Sequence, residues 1–265
     1  MTKTILTIAG SDTLAGGGLQ SDLKAFDEYG IFGLTAITCL AVVRDGNFFI
    51  HDVPLEVLSE QLNTIQENYE LAGIKLGLIH DPAAIPLVKR FLQSFKGPIV
   101  LDPVLAFKET DETSNNEYKL ALIHELFPLA TLVTPNLVEA ELLSGQTITD
   151  LAEMKAAAKK IYQLGPKAVV IKGGDRLAGA TAFDLFYDGQ HFEVLAKPKL
   201  AKRTINGAGC TLASAITANL VLGAELFPAI EKSKAFVYQG IKNGVSLKNG
   251  EGNVWHGPKN DKGGI

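Results

Sequence analysis

Short apolar runs alternate with longer helix-like segments along most of this sequence, and no other feature limits the choice of fold as strongly. The run "TILTIAG" precedes "LQSDLKAFDEYG", "LTAITCLAVV" precedes "PLEVLSEQLNTIQENYE", and "GIKLGLI" precedes "DPAAIPLVKRFLQSF". Runs that are this continuously apolar and rich in β-branched residues are typical of strands covered on both faces. The order therefore predicts an α/β fold in which a mainly parallel sheet lies between two layers of helices.

The second half of the chain continues the same order. It contains an acidic helix at "LVEAELLSG", a helix at "DLAEMKAAAKKIYQLG", a strand at "AVVIKGGD", a hairpin turning at Asp188 and Gly189, and two final helices after Gly207. We find no internal repeat and no linker that would separate two domains. The 265 residues fit one domain over residues 1–265. The Gly-rich, polar tail from about residue 248 is expected to be flexible.

Composition and charge exclude several classes of function. The net charge is −4 and the basic residues are scattered, which argues against binding of a nucleic acid. The longest apolar stretch, "IFGLTAITCLAVV", is too short to span a bilayer, and the first residues lack the features of a signal peptide. We therefore expect a cytoplasmic protein that does not bind membranes. The two cysteines, Cys39 and Cys210, have no CxxC spacing, so neither a disulfide framework nor a zinc site is predicted.

The stretch "GAGCTLASA" places glycines directly before an apolar helix. Glycine lets several backbone N–H groups point inward, and the positive end of the helix dipole would add to their attraction for an anion such as a phosphate. A strand-to-helix turn that merely uses glycine would show the same residues. A thiol at such a helix start is expected to have a lowered pKa, which makes Cys210 a candidate base or nucleophile. The spacing matches neither a P-loop nor the dinucleotide fingerprint.

A second glycine cluster, "GSDTLAGGGLQSDLK", follows the first predicted strand and also enters a helix. Asp12 and Asp22 lie on either side of this turn, where they could hold the hydroxyl groups or ring nitrogens of a small substrate. Asp12 also fits a simple turn or cap residue.

Charged residues also stand at or just beyond the ends of later strands, where ligands gather in sheets of this kind. Asp102 in "IVLDPVL" and Glu139 in "TPNLVEAE" supply hard oxygen ligands that suit Mg²⁺. Glu139 also fits a residue on a helix surface. Lys172 in "VVIKGGD" could meet a phosphate, or it could be a structural lysine whose amine reaches solvent.

Five motifs together carry a resemblance to a known family: "IAGSD...GGGLQSDLK", "LDPV", "TPNLVEAE", "IKGGD" and "GAGCT". Their order and spacing resemble the hydroxymethylpyrimidine kinase and pyridoxal kinase group of the ribokinase-like family, over nearly the whole chain. The resemblance implies a ribokinase-like three-layer α/β/α sandwich with a mainly parallel central sheet. It also implies ATP and Mg²⁺ as cofactors, a homodimer, and phosphoryl transfer to a CH₂OH group on an aromatic heterocycle.

The resemblance further assigns roles to particular positions. Cys210 stands where most of the wider family has an aspartate base, next to the amides of Gly207, Ala208 and Gly209, which would hold the transferring phosphoryl group. Asp102 and Glu139 would hold the metal. The implied substrate pocket consists of Gly10, Gly17, Asp22, Val43, Leu78 and Val104, and Asp12 of the glycine turn is expected to join it. The implied nucleotide contacts are Asn136, Lys172, Gly174 and Thr211.

Departures from the family pattern bear on the substrate. Enzymes of thiamine synthesis in this group commonly have a glutamine where this chain has Val43, and valine cannot pair with an aminopyrimidine. Related bacterial pyridoxal kinases have an apolar residue there, which favours a vitamin B6 compound over hydroxymethylpyrimidine or its phosphate. Phe107 stands where that subgroup often has a second cysteine, and Asn206 where many relatives have histidine.

Two segments and two further classes of function stay open from the sequence. The polar segment 106–117 fits a lid over the substrate or a solvated loop, and "VVRDGNFFIHD" fits a second flap or a dimer contact. A catalytically silent protein with the same fold would be expected to lack Asp102, Glu139 or the GAG turn, and all are present. A nicotinamide dehydrogenase is disfavoured because GxGxxG is missing.

Overall fold

The computed structural model describes residues 2–105, 112–201 and 204–257. The strands are β1 (Thr4–Asp12), β2 (Phe32–Arg44), β3 (Asn47–Asp52), β4 (Gly73–Leu76), β5 (Ile99–Leu101), β6 (Leu132–Val133), β7 (Val169–Lys172), β8 (Thr181–Tyr187), β9 (Phe192–Pro198), β10 (Val245–Ser246) and β11 (Gly252–Asn253). The helices are α1 (Gly18–Glu28), α2 (Leu55–Asn68), α3 (Ile85–Leu92), α4 (Glu112–Ala121), α5 (Leu137–Ser144), α6 (Leu151–Tyr162), α7 (Ala208–Val221) and α8 (Leu226–Lys242).

Nine strands form one sheet in the order β3-β2-β1-β4-β5-β6-β7-β8-β9. The six strands from β2 to β7 in this order are parallel, whereas β3, β8 and β9 each pair antiparallel with a neighbour. The prediction of a mainly parallel sheet is thus confirmed. The predicted hairpin is confirmed as well, since β8 pairs with β9 across the turn that contains Asp188 and Gly189.

Neighbouring residues of the central strands are buried on opposite faces of the sheet, which produces three layers. On β1, Leu6 packs into a core that contains Leu58 and Leu62 of α2. The preceding residue, Ile5, packs with Phe26 of α1 and Val221 of α7 on the other face. Because both faces are covered by helices, the strands need the continuously apolar sequences from which the fold was predicted.

The sheet order changes direction at β1. The chain passes from β1 to β2 on one side and returns to place β4 on the other side of β1. In open α/β sheets, such a point leaves a crevice beyond the carboxyl ends of the strands. The residues directly after β1, β4 and β5 lie at these carboxyl ends, and α7 packs against β4 and β5.

Two predicted loop regions differ in outcome. Residues 106–111 of the proposed lid lie outside the described residues, and Glu112–Ala121 forms α4, so the rest of that segment is helical rather than a loop. The turn predicted at Asp45 and Gly46 is confirmed, because both residues have positive φ values, 52° and 79°, between β2 and β3. Within the described ranges, no helix is both long enough and apolar enough to cross a bilayer.

An almost buried ion pair joins the sheet to the last helix. Lys234 Nζ on α8 lies 2.6 Å from Asp184 Oδ2 on β8, and Asp184 Oδ1 accepts a hydrogen bond from the Gly173 N–H at 3.1 Å. We expect Lys234→Met to lower the free energy of unfolding by about 3 kcal/mol, because it leaves the Asp184 carboxylate buried without its cation. Urea denaturation measures this change.

The matched control is Lys89→Met. The Lys89–Glu125 bridge is 2.6 Å long, but both side chains are 35% exposed. Its loss should cost less than about 1 kcal/mol. If both substitutions lowered the free energy of unfolding by the same amount, burial would not explain the larger effect expected for Lys234→Met.

Candidate active site

Two glycine turns, at the starts of α1 and α7, contact each other at the carboxyl end of the sheet. Gly207 has a φ of 83°, and a Cβ built on it would overlap the Gly16 carbonyl oxygen and lie 2.8 Å from Ser21 Oγ. A Cβ on Gly17 would lie 3.7 Å from Cys210 Sγ. Glycine therefore allows the backbones to approach at this point, and the approach places Cys210 beside the first turn of α1.

Cys210 is the third residue of α7 and is half-buried. The backbone N–H of Gly18 donates a hydrogen bond to its sulfur. Burial raises the pKa of the Cys210 thiol to about 11, although the positive charge of Lys75 opposes the change. The lowered pKa predicted from the helix start is therefore wrong, because removal of the thiolate from water outweighs the attraction of the helix N-terminus.

Asp102 and Lys172 form an ion pair against the first turn of α7. Lys172 Nζ lies 2.5 Å from Asp102 Oδ1, which also accepts a hydrogen bond from Thr134 Oγ1 at 3.0 Å. A Cβ on Gly209 would lie 3.0 Å from Lys172 Nζ and 3.5 Å from Asp102 Oδ2. The predicted anion-binding turn and the two predicted charged residues are thus in contact.

Glu139 is buried beside this pair and is not on a helix surface. It is the third residue of α5, where its carboxylate accepts the Asn136 N–H at 2.7 Å while Asn136 Oδ1 accepts the Glu139 N–H at 3.0 Å. Burial raises the pKa of Glu139, the Lys172 ammonium lowers it, and the Asp102 carboxylate raises it further. The resulting pKa is about 7. The two carboxylates and one ammonium leave this corner of the site with an excess of negative charge when Glu139 is ionised.

The donor set fits the predicted metal. Among the described residues, no group of three or more His, Cys, Asp or Glu side chains could hold a metal ion by itself. Mg²⁺ commonly takes only one or two carboxylates from the protein and completes its shell with phosphates and water. Asp102 and Glu139 match that requirement.

Several predicted contact residues use their polar groups within the protein. Asp22 is fully buried, and its oxygens accept hydrogen bonds from Thr7, Lys75 and Ser214, so its prediction as a substrate ligand is corrected. Asp12 accepts the N–H groups of Leu14 at 2.9 Å and Gly16 at 3.0 Å. Of its two proposed roles, the structure shows the turn residue.

Two predictions around the nucleotide, for Ala208 and Thr211, are corrected in the same way. The Ala208 N–H already donates to the Ile205 carbonyl at 3.1 Å, so it is not free to hold a phosphoryl group. Thr211 is fully buried, and its hydroxyl contacts the Gly207 carbonyl at 2.7 Å and His256 Nε2 at 2.8 Å. The Asn136 side-chain oxygen caps α5, and the nucleotide contact of this residue stays a prediction.

The other predicted residues are Gly10, Leu78, Val104, Gly174 and Val43. Gly10 is close to Leu78, since a Cβ on Gly10 would lie 3.7 Å from Leu78 Cδ2. The Val104 N–H donates to the Asp102 carbonyl at 2.9 Å, and Gly174 has open space around it. Val43 is 47% exposed near the end of β2, opposite Phe48 on β3, so its role in substrate choice stays a prediction.

Two parts of the site were not predicted. Lys75 is fully buried on β4, and the signal for it was a lone lysine inside the apolar run "GIKLGLI". Residues 252–256, in the tail for which flexibility was expected, contact both glycine turns. The Asn253 side chain donates to the Leu14 carbonyl at 2.8 Å and accepts from the Asn206 side chain at 3.4 Å. His256 contacts the buried Thr211 hydroxyl.

Comparison with known proteins identifies relatives of two kinds. Residues 12–255 match the family described as phosphomethylpyrimidine kinase. A hydroxymethylpyrimidine/phosphomethylpyrimidine kinase from Aquifex aeolicus is 38% identical over 92% of this chain and 96% of its own.

Solved structures extend the comparison to the whole fold. The pyridoxal kinase from Staphylococcus aureus, in complex with AMP-PCP and pyridoxal, superposes with a TM-score of 0.90 at 36% identity, over 99% of this chain and 96% of that one. A phosphomethylpyrimidine kinase from Clostridium difficile superposes with a TM-score of 0.77 at 33% identity, over 91% of this chain and 100% of that one.

The contact between the glycine turns can be tested by Gly207→Ala. We expect this variant to lose at least about 100-fold in kcat, because the new methyl group would push the α7 turn away from Gly16 and misplace groups in the site. Gly223→Ala is the matched control, since Gly223 also has a positive φ, 95°, but has open space around it. That control should lose only about 1 kcal/mol of stability and keep its kcat. Similar kcat values for both variants would contradict the proposed contact.

Glu139 gives a prediction for the metal-free protein. The folded pKa of about 7 lies above the ordinary value of 4.5, so the folded state binds the proton more tightly, and stability falls as pH rises through this interval. Glu139→Gln should therefore stabilise the protein at pH 8, by on the order of 1–3 kcal/mol, relative to its effect at pH 5. Urea denaturation in EDTA at both pH values measures this, and an equal effect at the two pH values would show that Glu139 titrates normally.

Proposed function

This chain belongs to the phosphomethylpyrimidine kinase family, and we propose that it transfers the γ-phosphoryl group of ATP to the 5′-hydroxymethyl group of a vitamin B6 compound: pyridoxal, pyridoxine or pyridoxamine. Its activity as an ATP-dependent kinase follows from the family and from relatives that bind ATP analogues. The finer choice of acceptor is our proposal.

One observation carries that choice. The superposition on the pyridoxal kinase from S. aureus covers 99% of this chain with a TM-score of 0.90, whereas the phosphomethylpyrimidine kinase from C. difficile reaches 0.77 over 91%. Sequence identity is nearly the same in the two comparisons, 36% and 33%. The higher coverage and TM-score are our support for a B6 compound as substrate.

The α7 turn is the proposed site of the transferring phosphoryl group. The first turn of a helix leaves backbone N–H groups without internal partners, and α7 has no side-chain cap at Gly207. Gly209 and Cys210 would supply these donors, since the Ala208 N–H is already used. Lys172, which lies against Gly209, would shift from Asp102 toward the phosphates and offset their charge. Mg²⁺, held by Asp102 and Glu139 together with the phosphates, would neutralise further negative charge on the nucleotide.

Cys210 is the proposed acceptor of the substrate proton. As the oxygen of the hydroxymethyl group bonds to the γ-phosphorus, the bond to the β-phosphate oxygen breaks, ADP leaves, and the hydroxyl proton passes to the sulfur. The sulfur must be a thiolate to accept it, and the pKa of about 11 means that the resting thiol is protonated at neutral pH. We therefore infer that the reaction is faster at higher pH until the thiol of the loaded enzyme has ionised.

The second candidate is phosphorylation of hydroxymethylpyrimidine or its phosphate for thiamine synthesis. The observation in its favour is the A. aeolicus relative, which is 38% identical over 92% of this chain. Hydroxymethylpyrimidine and the B6 compounds share a hydroxymethyl group on an aromatic nitrogen ring, so either could receive the phosphoryl group at this site.

The proposal includes a homodimer in the cytoplasm. Leu40 on β2 is apolar and 45% exposed, so it would be available for contact with a second copy. Sedimentation velocity would measure the mass in solution, and a monomer at micromolar concentration would contradict the dimer.

Initial rates with Mg-ATP on pyridoxal, pyridoxine and hydroxymethylpyrimidine test the acceptor. We expect kcat/KM to be at least about tenfold higher for a B6 compound, because a pocket without partners for an aminopyrimidine discriminates against it. ADP release, measured in a coupled assay, reports the rates. Asp102→Asn should abolish turnover of every acceptor, which excludes a contaminating kinase. A higher kcat/KM for hydroxymethylpyrimidine would establish the second candidate instead.

A further inference from the structure

Lys75 and Asp22 form a fully buried ion pair at the centre of the molecule. Lys75 Nζ lies 2.8 Å from Asp22 Oδ2, and both side chains are 0% exposed. Buried ion pairs of this kind often contribute no more to stability than a well-packed apolar pair would. Stability alone is therefore a weak reason for the presence of this lysine.

Two hydroxyl groups donate hydrogen bonds to the carboxylate of this pair. Thr7 on β1 is the register partner of Lys75 on β4, and its hydroxyl donates to the same Asp22 oxygen at 2.6 Å. Ser214 on α7 donates to the other oxygen at 2.6 Å. Among the described residues, Asp22 is the single side chain that accepts a hydrogen bond from the Lys75 ammonium, which carries three N–H donors.

Helix geometry places this pair directly beneath the active-site sulfur. The Gly18 N–H contacts Cys210 Sγ where α1 and α7 begin. Four residues further along each helix, Asp22 and Ser214 contact each other. Four residues make about one helical turn, or roughly 5.4 Å, so the Lys75–Asp22 pair lies one turn below the thiol.

A small residue keeps the ammonium in this position. Gly77 lies two residues beyond Lys75, and a Cβ there would come within 2.7 Å of Lys75 Nζ. Burial by itself lowers the pKa of Lys75, but the negative charges of Asp22, Cys210 and Asp102 more than offset this effect, so the pKa is raised and the group stays charged.

Charged groups on four elements face Cys210. Asp22 on α1 and Asp102, directly after β5, raise the pKa of the thiol, and Lys75 on β4 lowers it. Lys172 on β7 also interacts with the Cys210 charge. Since Lys172 is proposed to turn to the nucleotide phosphates, Lys75 is the cation that stays beneath the sulfur throughout the reaction.

We propose that Lys75 is a positioning residue for phosphoryl transfer: its buried ammonium, oriented by Asp22, stabilises the thiolate form of Cys210 from the side opposite the substrate. The inference rests on the proposed role of Cys210 as proton acceptor. Asp22, which the sequence pattern had assigned to the substrate, would thus act on the reaction through Lys75 and Cys210 without contacting substrate.

The test uses two variants with opposite expected effects. Both are made in a Cys39→Ala background, because Cys39 and Cys210 are the two cysteines of the chain. The rate of iodoacetamide alkylation is measured against pH without nucleotide or substrate. Lys75→Met removes the cation and should move the midpoint up by at least about one pH unit, so that alkylation at a fixed pH below it slows about tenfold or more. Asp22→Asn removes a negative charge and should move the midpoint down.

Opposite shifts are the result that a merely structural role would not produce. Loss of packing would expose the sulfur in both variants and move both midpoints in the same direction, and that outcome, like unchanged midpoints, would overturn the inference. If Lys75→Met fails to fold by circular dichroism, the double variant Lys75→Met/Asp22→Leu decides: a raised midpoint supports the proposal, and an unchanged or lowered one overturns it. The double variant Lys75→Met/Asp22→Leu, with an apolar pair, should fold and keep a raised midpoint.

Turnover gives a second and separate readout. In Lys75→Met, kcat should fall with little change in the KM for ATP, because the substitution does not touch the nucleotide. The alkylation experiment needs no substrate, so its outcome is independent of the acceptor. A protein that fails to phosphorylate B6 compounds but shows the opposite shifts would refute the proposed function and leave the inference standing.

Discussion

The contact between two glycine turns determines how the active site is built. Gly207 can approach the Gly16 carbonyl because it has no side chain, and this approach brings the beginnings of α1 and α7 together. The same contact places Cys210 beside Gly17 and under the Gly18 amide, and it aligns the next turns of both helices so that Asp22 meets Ser214. A thiol, two helix starts and a buried ion pair are therefore arranged by one close approach of backbone to backbone.

Electrostatics within the site depend on how far each charge is removed from water. Asp102, Glu139 and Lys172 form one group near the α7 turn, and Asp22 and Lys75 form another beneath it. In the first group the carboxylates outnumber the ammonium, which suits a divalent cation and a polyphosphate that arrive together. In the second group the charges cancel and are closed off from solvent, which suits a permanent part of the scaffold.

Much of the fold was predictable because buried parallel strands need continuous apolar runs, and those runs are visible in the sequence. The approximate location of Cys210, Asp102, Glu139 and Lys172 was predictable too, since residues at the carboxyl ends of such strands converge on one crevice.

Residue roles were harder to predict, because the direction in which a side chain points is set by packing. Asp22 was assigned to the substrate although it faces inward, and Thr211 was assigned to the nucleotide although it faces His256. The pKa of Cys210 was predicted in the wrong direction because the helix start is visible in the sequence and the burial of the sulfur is not. The hydrogen bonds of Asn253 join segments far apart in the chain, and no local pattern announces them.

The protonated state of Cys210 has a consequence for the chemistry of the resting protein. Peroxides and electrophiles react with thiolates far faster than with thiols, so a sulfur whose pKa is raised to about 11 is a poor target for them at neutral pH. Because burial keeps the sulfur protonated at neutral pH, it also protects the sulfur from oxidation to sulfenic acid. If Cys210 is the base that we propose, its protonated resting state would protect it from oxidants between turnovers.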